Sequence, residues 1–137
     1  MTALILVACL SVPGCTGADE EIVCEDNTTL TQYEVYECGF ESGLLSSGYS
    51  QLSIEMTSTG DSPVHIFTFT PDQYDSWVMC EDFDMIDSFS EELSMGASME
   101  GDFYFDDFYV VFDHPNSCDE EDASTPIVEF SFKVVAK

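Results

Sequence analysis

The sequence predicts an all-β protein. The expected form is a small antiparallel β-sandwich of about seven to eight strands, disulfide-stapled, after an N-terminal signal segment. Three observations predict it. Apolar residues recur at every second position through much of the chain. Turn-forming residues interrupt that rhythm at short intervals, as in sandwiches and small barrels. Cysteines are dispersed at spacings that suit bridges better than a metal cluster.

The chain has 137 residues, of which 45% are hydrophobic and 13% aromatic, with eleven Phe. That is one domain's worth of sequence, long enough to bury a core and too apolar for compositional disorder. Its charge is extreme. There are 28 acidic residues against two lysines, Lys133 and Lys137, and no arginine, for a formal net charge of −26. Phosphate recognition runs on Lys and Arg, so nucleic acid is excluded as a partner. Anionic lipid surfaces are repelled for the same reason. Cations and basic partners are the compatible ligands. A carboxylate-rich surface also suits a salty habitat, or keeps a surface protein soluble.

Residues 2–10 form an apolar run too short to span a bilayer as a helix, which needs roughly 20 residues. The length fits the core of a signal peptide, although only the Met1 amine supplies a positive end. The run closes on Val12-Pro13-Gly14-Cys15, and Thr-Gly-Ala-Asp-Glu-Glu follows at once. This ending resembles the lipobox of bacterial lipoprotein precursors. The resemblance implies that Cys15 is lipidated and becomes the mature N-terminus, with a membrane partner through that anchor. Leu6-Val7-Ala8-Cys9 is a competing match. Cysteine parity favours Cys15, because Cys24, Cys38, Cys80 and Cys118 then remain as an even set. The organisation that follows is a signal segment at 1–14, an acidic tether at 15–21 and a sandwich domain at 22–137.

Four cysteines allow three connectivities. The preferred one joins Cys24 to Cys38 and Cys80 to Cys118, which pins the first strand to its neighbour and staples two distant parts of the sheet. Each bridge would contribute roughly 3–4 kcal/mol on the chain-entropy model.

Alternation marks the strands. Around 31–38, Tyr33 and Val35 oppose Gln32 and Glu34. Leu52, Ile54 and Met56 alternate with polar residues in 50–57. Residues 64–70 are strand-like on both faces, Trp77-Val78-Met79-Cys80 is a short apolar run, and 102–113 is dense in aromatics. Val128, Phe130, Phe132 and Val134 alternate near the end. Turn signals fall at 38–48, 60–63, at Pro71-Asp72, at Gly101-Asp102 and at 114–117. The one helix candidate is 88–99, with Ser88 or Ser90 as its cap.

Four constellations carry possible chemistry. Asp82, Asp84 and Asp87 offer oxygen ligands to Ca²⁺, although the Gly and distal Glu of an EF-hand loop are missing. His65 and His114 are the only histidines, and no nucleophile signature accompanies them. Met95 and Met99, four apart, would share a helix face as soft copper ligands. Tyr74, Trp77, Tyr104 and Tyr109 would suit stacking against sugar rings. The stretch from His65 to Phe69 through Asp82-Phe83-Asp84 is similar to the small β-sandwich domains appended to secreted bacterial proteases. No residue roles follow from that likeness.

The expected function is a non-catalytic cell-envelope or surface lipoprotein with a partner-binding or structural role. It would be exported, and held at the outer membrane or cell surface by its lipid, or else extracellular. Protein partners and self-assembly both fit. The alternatives are a Ca²⁺-dependent or carbohydrate-binding module, and a subunit of an extracellular filament.

Overall fold

The computed structural model describes residues 20–40, 48–105 and 107–137. The expected signal segment at 1–14 and Cys15 lie outside these residues. Among the described residues, eight strands form two four-stranded antiparallel sheets: β1 (Glu21–Leu30), β2 (Val35–Phe40), β3 (Gln51–Ser58), β4 (Val64–Phe69), β5 (Glu91–Ser94), β6 (Gly96–Asp102), β7 (Phe108–Asp113) and β8 (Val128–Ala136). One sheet runs β1-β8-β3-β6 and the other β2-β7-β4-β5. The first strand begins at Glu21, which pairs with Ala136 of β8.

The strongest alternation in the sequence builds the centre of the first sheet. Leu52, Ile54 and Met56 of β3 point inward and are buried, while Gln51 and Glu55 stay exposed. β8 lies between β1 and β3 and turns Val128, Phe130, Phe132 and Val134 to the same interior. Val64 and Ile66 of β4, and Phe108, Val110 and Phe112 of β7, meet them from the second sheet. Phe112 stacks on Phe132 with ring centroids 4.2 Å apart. These buried rings make the sheet-on-sheet contact that holds the sandwich together.

Two devices close the sides of the sandwich. On one side, the edge strands β1 and β2 belong to different sheets, and the Cys24–Cys38 disulfide joins them. On the other, the chain passes from β5 in one sheet to β6 in the other through Met95. Leu93 sits at φ 51°, in the left-handed region, where the strand is re-aimed between sheets.

Three expectations are corrected. The helix over 88–99 is absent: a 3₁₀ turn at Asp87–Phe89 leads into β5 and β6. Ser90 caps no helix; its hydroxyl donates to the Ile86 carbonyl and accepts from the Thr68 amide. Pairing of residues 96–102 along the open edge of β3 outweighs local helix preference. Conversely, Pro71-Asp72 opens a helix, α1 (Pro71–Val78), which takes in Trp77 and Val78 of the short apolar run, while Met79 and Cys80 form the turn after it. Thr70 and Gln73 cap its start reciprocally, with Pro71 in the first turn. Finally, residues 31–34 are a turn, and their faces are reversed. Tyr33 is 55% exposed while Gln32 is 6% exposed. The Gln32 amide donates to the Asn116 and Glu120 carbonyls and accepts from the Asp122 amide. It thereby organises the acidic 114–126 segment.

Candidate functional site

β4 looked strand-like on both faces because both faces are covered. Its inner face joins the main core. Its outer face carries Phe67 and Phe69, which pack with Trp77 and Val111 in a second cluster beneath α1. The outer face of β2, at the sheet edge, is not roofed in the same way. A groove of about 260 Å³ runs there, between α1, β2 and the end of β7.

Parity along the strands decides what the groove contains. Tyr109, Val111 and Asp113 share one face of β7, opposite Gly39, Glu37 and Val35 of β2. Gly39 is required by close approach: a Cβ there would lie 2.9 Å from Tyr109 Cε1. With no side chain at Gly39, the Tyr109 ring stacks on Tyr74, centroids 4.2 Å apart. The Tyr74 hydroxyl then donates to Glu37 Oε2 at 2.7 Å. Burial first, and the hydrogen bond to Glu37 next, push the Tyr74 hydroxyl well above its usual range. Tyr33 and Glu34 form the outer rim, and Thr31 holds the Glu34 carboxyl below its ordinary value by hydrogen bonds from its hydroxyl and amide. The Cys80–Cys118 disulfide contributes to the lining, tying the turn after α1 to the 114–126 segment.

Asp113 is the unusual group. It is 3% exposed, and one of its oxygens accepts from the Ser117 hydroxyl at 2.8 Å. The other, Oδ1, is buried with no hydrogen-bond partner among the described residues. Burial pushes the carboxyl up to about 6; Ser117, the Trp77 indole and His114 act in the opposite direction. A buried polar atom without a partner is uncommon, because it forfeits its hydration without replacing it.

The histidines do not form a relay with Ser117 and Asp113. His114 is fully buried; its Nδ1 accepts from the Asn116 amide, so Nε2 carries the proton and donates to the Pro126 carbonyl. His65 accepts from the Leu93 amide through Nδ1, and burial lowers its pKa. Asp82, Asp84 and Asp87 lie between α1 and β5. Among the described residues no three His, Cys, Asp or Glu side chains gather as a metal-binding group. Met95 and Met99 sit at the β5–β6 crossing and on β6, not on a helix. Of the four aromatic candidates, Tyr74, Trp77 and Tyr109 come together, with Trp77 largely buried against Phe69. Tyr104 is 83% exposed and does not line this groove.

Sequence reasoning missed Asp113 as a site residue. The signal was an acid on the same strand face as Tyr109 and Val111, in a chain with almost no cations to pair with it.

No family model matches the chain, and no curated protein matches it. Among solved structures, a likeness covers 89% of this chain and 90% of the periplasmic inhibitor of g-type lysozyme, PliG, from Aeromonas hydrophila. The sequence identity is 12% and the TM-score is 0.43.

Proposed function

We propose that this chain is an exported, non-catalytic binding protein that captures a basic protein partner at the groove beside Asp113, with a lipid on Cys15 anchoring it to the cell envelope. One observation carries the reading: the groove exposes aromatic surface, and the ionisable acids lining it are Glu34, Glu37 and Asp113, with no lysine or arginine among its walls. The rest of the chain extends that potential, at a formal charge of −26. Such a field speeds encounter with a basic partner and rejects acidic ones. It also opposes self-assembly through the sheet edges, because a second copy brings the same charge. Two disulfides support an oxidising compartment. The lipobox-like segment supports the anchor.

Binding is tested by surface plasmon resonance against proteins of pI above 9, a g-type lysozyme among them, with acidic proteins of similar size as controls. Saturable one-to-one binding to a basic analyte at 150 mM salt, absent from the acidic set, supports the reading. No saturable binding, or a signal confined to low salt, overturns it. The anchor is tested by intact mass of the protein from native membranes. A chain beginning at acylated Cys15 supports it, and a free N-terminus elsewhere refutes it.

A further inference from the structure

We propose that the groove receives one arginine side chain of the basic partner, with Asp113 as the acceptor for its guanidinium; this rests on the reading above and names the group recognised. Three independent features converge on a planar cation. The first is Asp113 Oδ1, buried and without a hydrogen-bond partner, on a residue that lines the groove. Its sister oxygen already accepts from Ser117, so the vacant acceptor has a defined position. The second is the wall: Tyr33, Tyr74 and Trp77 present aromatic surface, on which a guanidinium stacks while its edge donates. Lysine's ammonium is more strongly hydrated and offers no plane to stack, so arginine is preferred. The third is that no cation of the chain competes: among the described residues neither lysine lines the groove, and the Trp77 indole beside Asp113 is neutral. Lys137 is engaged with Glu100 at 3.0 Å, and the His114 ring bonds Pro126 and the Asn116 amide. Glu34 and Glu37 add same-sign charge at the rim.

Trp77 is the chain's only tryptophan and lines the groove, so its fluorescence reports occupancy directly. The full chain is titrated with acetyl-Gly-Arg-Gly-amide, with the lysine and citrulline counterparts, and with a neutral trisaccharide. The expected result is a saturable Trp77 response to the arginine peptide, several-fold weaker for lysine and absent for citrulline and sugar. Asp113→Asn should weaken it at least tenfold, and Tyr33→Ala, at the exposed rim, by about threefold. Tyr104→Ala, away from the groove, should leave it unchanged. Asp113→Asn is checked by near-ultraviolet circular dichroism, and Tyr33→Ala keeps the test decisive should that variant misfold. Equal responses to arginine and citrulline, saturation by the sugar, or indifference to both substitutions would overturn the proposal. If basic proteins bind but Asp113→Asn does not weaken them, the arginine pocket fails while the basic-partner reading stands. If no basic protein binds, the wider reading fails first.

Discussion

Asp113 concentrates the tension in this molecule. Its carboxyl, normally near 3.8, is held at about 6 by burial. Because the folded value exceeds the unfolded one, this group favours folding below pH 3.8. That advantage is lost as pH rises from 3.8 through about 6. Above that window the fold keeps an ionised, buried carboxylate, at a cost of roughly 3 kcal/mol. A guanidinium seated against it would relieve that cost on binding. The matched prediction is that Asp113→Asn, neutral at every pH, is more stable than the parent at pH 8. The difference should be about 2–3 kcal/mol in urea melts, shrinking towards zero at pH 4. A constant difference across that range would show that the carboxyl does not titrate as described. Stability gained together with binding lost is the expected mark of a residue kept for recognition.

At the scale of elements, the edges of the sandwich need separate fastening. Among the described residues, β1 pairs only with β8 and β2 only with β7, so no backbone ladder there joins them across the two sheets. The Cys24–Cys38 bridge, spanning 14 residues, makes that connection. Replacing both cysteines with serine should cost about 3 kcal/mol, or roughly 10 °C in Tm, read by thermal circular dichroism. A loss under 2 °C would mean that the core alone holds the edges. The same edges carry acids, among them Glu21, Glu25 and Asp26 on β1. Charge of this kind discourages strand addition by a second copy.

For the whole molecule, self-repulsion is the dominant electrostatic fact. Of the two lysines, Lys137 bonds Glu100 and approaches Glu20 at 3.9 Å. The acids that remain are mostly solvent-facing, where salt screens them effectively. The Debye length falls from above 10 Å at low salt to about 3 Å at 1 M. Tm should therefore rise by several degrees between 0.02 and 1 M NaCl at pH 7.5, measured by scanning calorimetry. A flat or falling Tm would show that the surface acids are spaced beyond effective repulsion. The same salt should slow association with a basic partner more than it speeds dissociation, since long-range steering acts on encounter.

Period-two alternation and turn residues sufficed for the all-β class and for the inward faces of β3 and β8, because each of those strands buries one face along most of its length. The charge, and the partner classes it excludes, needed nothing beyond composition. Tertiary structure decided the rest. Residues 91–102 are strands because β3 and β4 offered edges to pair with, a fact outside their own window. α1 was locally signalled by Thr70-Pro71-Asp72-Gln73, yet Pro71-Asp72 equally announces a turn. Gln32 became interior because carbonyls more than eighty residues away converge on it. Asp113 was visible as one acid among 28. The burial of its carboxyl, with Oδ2 bonded to Ser117 and Oδ1 left without a partner, arises only when β2, β7, α1 and Ser117 meet around it, since burial and pairing are properties of the assembled fold and not of any segment.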